Sequence, residues 1–248
     1  MDRLGLEDGD SIDGDNTAMK DDKLIDQALA MIEPTEFERN GRTGISGFDG
    51  QADYAKFSAS GGSGYTKDGF FHFFGCQGPV EHNLYAWNEP SVWQTFFDLR
   101  PGWLAIAEDA FGHQFCMRPD GRRPVVKVLS PWTGDFSLIA NSFEDFLRDF
   151  LLGTESWSSL HEQYQAIISR PSMRHRQFCH LTPVVPPILG GDGDDPTQFE
   201  WLGSSVNMSM LGQLFAQLKN VEPGTRINKL EIDKVSGRVT MQLEPPLQ

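Results

Sequence analysis

Cysteine is scarce in this chain. Three occur in 248 residues, Cys76, Cys116 and Cys179, widely spaced and with no CxxC pair among them. That excludes a dense disulfide framework or a cysteine-rich zinc site, and it suits reduced thiols in a cytoplasmic protein. Long apolar runs are missing too. No stretch reaches the ~18 apolar residues that span a bilayer, and the opening "MDRLGLEDGD" has no apolar core of the kind a secretion signal carries. Positive charge is also in short supply, with 21 Lys and Arg against 35 Asp and Glu and a formal net charge of −14. Residues 1–40 hold twelve of those acids and only four of the bases. Such a field repels nucleic acid and anionic lipid and favours basic partner proteins.

Enough apolar material is present to fold: 39% of residues are hydrophobic, and Phe, at 18, is the commonest aromatic. The length suits one large domain or two small ones. Residues 1–22 have no apolar periodicity and are expected to form an acidic, mobile tail. The stretch "DKLIDQALAMIE" places Leu24, Ile25, Ala28, Leu29 and Ile32 at helical spacing, and "GQADYAKFSAS" reads as a short helix. A hairpin is expected about Lys67-Asp68-Gly69. A strand follows in "LYAWNEP", then a helix in "SVWQTFFDL" capped by Ser91. "WLAIAEDA" and "HQFCMRP" read as strands joined at Phe111-Gly112, followed by strands in "VVKVLS" and "SLIANS". "SFEDFLRDFLLG" is an amphipathic helix with Ser142 as N-cap, its apolar face on Phe143, Phe146, Leu147 and Phe150, and Gly153 at its end.

Beyond residue 153 the reading is a helix in "SSLHEQYQAIISR", a long loop in "LTPVVPPILGGDGDDP", and a helix with Val206, Met210, Leu214 and Leu218 on one stripe. A hairpin closes the chain, with Ile227, Leu230 and Ile232 facing Val239, Met241 and Leu243. The expected organisation is thus a tail at 1–22, a domain at 23–153, and an α+β extension at 154–248 packed on it.

Known chemical motifs fail one by one. His161-Glu162 opens like HExxH, but position 165 is Gln. "GGSG" and "GCQG" match neither a P-loop nor a dinucleotide fingerprint. The acidic "EDGDSIDGD" breaks the calcium-loop pattern at Ile12 and Asp13. Cys76 with His72 or His82, or Cys179 beside His180, could supply a thiolate and a base, yet nothing in the spacing asks for either, and buried structural cysteine explains them. No G-x-S-x-G elbow occurs. No cofactor, metal site or catalytic residue is therefore expected.

Glu108, Asp109 and His113, in "AIAEDAFGHQF", are the remaining catalytic possibility. The two acids fall where a strand leaves the sheet, beside a turn in which Gly112 supplies backbone freedom, and a carboxylate there accepts the loop's own N–H groups. That structural reading is preferred to catalysis. Glu108 and Asp109 are retained as partner-binding candidates with Trp87 and Trp93, because tryptophan concentrates binding energy. The alternative for both tryptophans is the core.

The order "WNEPSVWQTFF", "WLAIAEDAFGHQF" and "VVKVLSPWTGDFSLIANSFEDFLRDFLL" resembles the SUKH superfamily, which includes the fungal regulator of cell-wall glucan synthesis and many bacterial immunity proteins. Ala107, Asp109, Gly112 and Phe115 match that family's strand-and-turn element, and Ala140, Ser142, Phe143, Phe146 and Leu147 match its closing helix. The match spans about residues 42–153 and departs from the family at "ASGGSGY". "LTPVVPPILGG" with "VNMSMLGQLFAQLK" resembles the extension of some immunity proteins linked to type VI secretion. The resemblance implies an α+β fold, a largely antiparallel sheet flanked by helices, here with a C-terminal helix-plus-hairpin extension. It also implies action by protein binding. The expected partner is a cognate toxin, basic in charge, such as a nuclease or deaminase. The second reading is an adaptor or regulator of a cell-envelope or signalling assembly, and the third a hydrolase.

Overall fold

The computed structural model describes residues 22–38, 48, 51–120, 125–153, 158–222, 225–233 and 238–244. All but the last residue of the expected acidic tail lies outside them. The described chain begins with helix α1 at 22–29, shorter than the periodicity implies because Ile32 turns into a strand.

Seven strands follow one another across a single sheet in chain order, each antiparallel to the next: β1 (Ile32–Glu33), β2 (Gly64–Thr66), β3 (Phe71–Phe73), β4 (Leu104–Asp109), β5 (Gln114–Met117), β6 (Val126–Leu129) and β7 (Phe136–Ala140). Tight turns allow this order. Between β2 and β3, Asp68 Oδ1 accepts from Thr66 Oγ1 at 2.6 Å and from the Phe70 N–H at 3.1 Å. Between β4 and β5, Gly112 sits at φ +88°, and an added Cβ would stand 2.7 Å from His180 Nδ1. Glycine is required there by the turn and by the ring above it.

Because side chains alternate across a strand, the register sorts the sheet into two unlike faces. One row runs Gly64, Phe73, Ala107, Phe115, Val128 across β2 to β6. It is apolar and lies under α2 (Ala52–Ala59) and α4 (Phe143–Phe146), with ring centroids 5.0 Å apart for Phe57–Phe73 and 5.2 Å for Phe115–Phe146. Ser142 Oγ accepts from the Asp145 N–H at 3.0 Å, the expected cap, and the helix then widens into a π-turn over Leu147–Leu151. The row on the opposite face runs Tyr65, His72, Glu108, Gln114, Leu129, Phe136. Its middle is polar although it is buried.

That second face is covered by α3 (Leu84–Trp87) and by the C-terminal part of the chain: α5 (Ser158–Ile168), the pair β8 (Cys179–Pro183) and β9 (Phe199–Gly203), and α6 (Ser204–Leu218). A separate hairpin, β10 (Arg226–Ile232) with β11 (Val239–Glu244), pairs Ile227 with Leu243, Leu230 with Met241 and Ile232 with Val239, as the apolar pattern implies.

Four local expectations are corrected. "LYAWNEP" is helical, because Asn83 caps it by accepting from the N–H groups of Tyr85 and Ala86. "SVWQTFFDL" makes only a 3-10 turn over Gln94–Phe97, stopped by Asp98 in the left-handed region. The "LTPVV" loop begins inside β8, whose partner β9 was not foreseen. On α6 the buried side carries Ser204, Asn207, Met208, Leu211 and Leu214, while Val206 is exposed. A purely apolar stripe was the wrong template, because the first turns of α6 meet polar groups at Ser205 and Asn207 before the later turns pack on Phe96 and Phe97.

Candidate functional site

Glu108 is the hub of that polar surface and is 2% exposed. Its Oε1 accepts from His72 Nδ1 at 3.1 Å, and its Oε2 accepts from Gln114 Nε2 at 3.0 Å. His180 Nε2 also lies 3.0 Å from Oε2, off the line of a hydrogen bond. From His72 the chain of contacts continues through Nε2 to His82 Nδ1 at 2.8 Å, and from His82 Nε2 to Thr35 Oγ1 at 3.0 Å. On the opposite side Asn207 Nδ2 stands 3.1 Å from His180 Nδ1, and Asn207 Oδ1 accepts from Thr182 Oγ1 at 2.7 Å. Gln114 Oε1 accepts from Trp87 Nε1 at 2.7 Å.

One direction satisfies this chain with neutral imidazoles and an ionised Glu108. The Thr35 hydroxyl donates to His82, His82 Nδ1 donates to His72, and His72 Nδ1 donates to the carboxylate. Burial pushes the Glu108 carboxyl up, but His180 and His72 beside it outweigh burial and hold the carboxyl down at about 2. Burial, with His72 beside it, brings His82 down to about 3. The void next to Glu108 is about 10 Å³, the room of a single water. A general acid or base must reach its substrate. This carboxylate instead ties β4 to β3, to β5 and to β8.

Asp109, 1% exposed, holds the turn that follows. Its Oδ1 accepts from the Phe111 and His113 N–H groups at 2.9 and 3.0 Å, and its Oδ2 meets His113 Nδ1 at 2.9 Å. Trp87 and Trp93 are both 0% exposed. Their indole N–H groups go to Gln114 Oε1 and, at 2.9 Å, to the Trp87 carbonyl. All four partner-contact candidates are thus interior residues, and none of them presents a surface in this conformation. The reason is long-range: partners for indole and carboxylate come from other strands, which local pattern does not disclose. Burial pushes the Cys179 thiol up and away from the thiolate, which counts against a nucleophile in the Cys179–His180 pairing.

Two members of the network were not legible as such: His180, the neighbour of Glu108, and Asn207, the neighbour of His180. The available signal was a polar residue inside each apolar segment, "FHF", "CHLT" and "SVNMS". Among the described residues no group of three or more His, Cys, Asp and Glu side chains is arranged to hold a metal ion. Nor is any of their helices long and apolar enough to cross a membrane. Two depressions open to solvent. One, of about 370 Å³, has Met31, Phe70 and Phe150 as its floor and the Asp68–His161 pair, 2.7 Å apart, on its rim. The other, of about 680 Å³, lies where β6 and β7 meet the segment after Trp93.

Comparison with known proteins supplies the remaining facts. Residues 47–149 match the profile of the SMI1 / KNR4 family (SUKH-1). No curated protein matches the chain. Among solved structures, the crystal structure of Atu4351 from Agrobacterium tumefaciens aligns with a TM-score of 0.50 at 13% identity, over 87% of this chain and 96% of that one. That likeness is one of fold, and it reaches beyond the family match into the C-terminal part.

Proposed function

Residues 47–149 belong to the SUKH superfamily, and from that premise we propose that the protein is an immunity protein, which binds a cognate toxin and blocks it without catalysis of its own. The observation that carries this reading is the enclosure of Glu108. The acid and the imidazoles of this cluster are engaged with one another at 0–2% exposure, so the cluster is closed to a substrate. A net charge of −14 suits a basic partner, such as a nuclease or deaminase delivered by a contact-dependent or type VI system, and would speed encounter with it. Blocking is then steric and electrostatic: the acidic surface covers the toxin's basic active site.

The test is co-expression of the chain with the product of the neighbouring reading frame. The expected result is that the neighbour alone arrests growth, that this chain restores it, and that the two co-purify as a stable complex. Restored growth with no complex at any salt concentration would point to enzymatic inactivation and reject the binding reading.

A further inference from the structure

The second face of the sheet is covered unevenly. Over β3 to β5 it lies beneath α3, β8 and α6, whereas toward β6 and β7 the cover ends and the groove of about 680 Å³ opens. Trp103 and Phe136 form its aromatic wall, their rings edge to face with centroids 5.2 Å apart. Lys127 Nζ stands over both, 5.4 Å and 5.0 Å from the ring centroids. Arg100 and Arg118 complete the lining's positive charge.

The lining has one carboxylate, Asp98, and it is engaged by Lys219 on the groove's margin. Arg118 pairs through one nitrogen with Asp120 at 3.0 Å, while its Nε is buried without a hydrogen-bond partner. Among the described residues neither Arg100 nor Lys127 has a carboxylate partner. On a chain with a net charge of −14, this is a cationic, aromatic groove whose charges are largely uncompensated.

A second feature borders it. β7 is the last strand of the sheet among the described residues, none of which forms a strand along its outer edge, and Leu138 on it is 54% exposed. An open edge accepts an extended chain by main-chain hydrogen bonding, with alternate side chains entering adjoining pockets.

We propose that this groove docks an acidic segment of a partner protein. The segment's carboxylates pair with Arg100, Arg118 and Lys127, and an apolar side chain between them packs on Trp103 and Phe136. Charge complementarity selects the occupant. A short acidic segment lies within the groove and meets its local charge, because the repulsion of the distant acids is screened over ~8 Å at physiological salt. A nucleic acid would extend past the groove and meet the rest of the acidic surface. The proposal is independent of the immunity reading, and it departs from the expectation of a uniformly basic partner: a toxin or any other binding protein would contribute one acidic segment here.

The test uses the full chain and a fluorescent peptide of alternating Glu and Leu, followed by fluorescence anisotropy. Its controls are the same peptide with Gln for Glu and a single-stranded oligonucleotide of similar length. The Glu peptide is expected to bind at least about tenfold more tightly than the Gln peptide. Arg100→Glu with Lys127→Glu is expected to remove that preference while lowering the melting temperature by at most a few degrees, since Arg100 is exposed and Lys127, half-buried, gives up only its contacts with the two rings. Trp103→Phe, which keeps a ring in place, should retain binding. Equal affinity for the two peptides, no binding of the Glu peptide, or tighter binding of the oligonucleotide would each overturn the proposal.

Discussion

Glu108→Ala is expected to destabilise the fold by about 3–5 kcal/mol, the range for breaking a buried charge network by removing one partner. Typical domains have ~5–15 kcal/mol in total, so the variant should be poorly folded at growth temperature. The loss comes from the groups that remain behind. His72 Nδ1 and Gln114 Nε2 lose their acceptor, and His180 Nε2 loses the carboxylate oxygen 3.0 Å away. Each buried donor left unpaired costs ~1–3 kcal/mol, and a cavity is added. Glu108→Gln keeps the shape and one acceptor oxygen but turns an amide NH₂ toward a donor, so an intermediate loss is expected. Urea unfolding of the three proteins measures the order: wild type, then Gln, then Ala. If the Ala variant unfolds at the wild-type midpoint, Glu108 is not the fastening described above.

Acidification should reproduce much of this loss without mutation. The unfolded chain protonates Glu108 near its ordinary 4.5, while the native state resists until about 2. The stability contributed by this group is therefore present above pH 4.5 and is lost as pH falls from there to about 2, a difference of ~3 kcal/mol. His82 acts in the same sense over a higher window. Its unfolded imidazole takes a proton below 6.5, and the buried one resists until about 3, so its contribution is lost between those values. Glu38, raised by burial, opposes the trend, because its native form binds a proton more readily than the unfolded one. Measured unfolding free energy should fall gently from pH 6.5 and steeply below pH 4.5. His82→Asn should flatten the limb between 6.5 and 4.5, where Glu108 is silent, and leave the lower limb in place. Stability unchanged from pH 7 to pH 3 would contradict the assignment of both groups.

What was legible in the sequence is what short-range chemistry decides. The turn after β4 could be read because Asp109 bonds to groups two and four residues away. The pairing of Leu230 with Met241 and of Ile232 with Val239 could be read because a period of two places them on one side, whereas Ile227, three positions before Leu230, meets Leu243 across a register shift between Ile227 and Lys229. The closing helix followed from a cap three residues from its donor. The misreadings lie where a local signal had two meanings. Four apolar residues from Leu84 to Trp87 suit a strand or a helix, and the Asn83 cap decides it. Trp87 and Trp93 look alike as core or contact residues until Gln114, 27 positions beyond Trp87, is placed beside it. His180 and Glu108 are 72 positions apart, and no periodicity connects them. The groove is scattered in the same way, drawing Arg100, Arg118, Lys127 and Phe136 from separate elements whose meeting depends on the strand order.

The central claim is that the protein acts by occupying another protein and not by changing it. The direct measurement is a titration of the toxin's activity with this chain at toxin concentrations far above the dissociation constant. Residual activity is read at several times after mixing, and the toxin is then recovered under denaturing conditions and weighed by mass spectrometry. The account predicts activity that falls in proportion to added protein, reaches zero at a fixed whole-number ratio, does not drift with time, and leaves a toxin of unchanged mass that regains activity once separated and refolded. Progressive inactivation by a small fraction of an equivalent, or a toxin recovered with an altered mass, would contradict it.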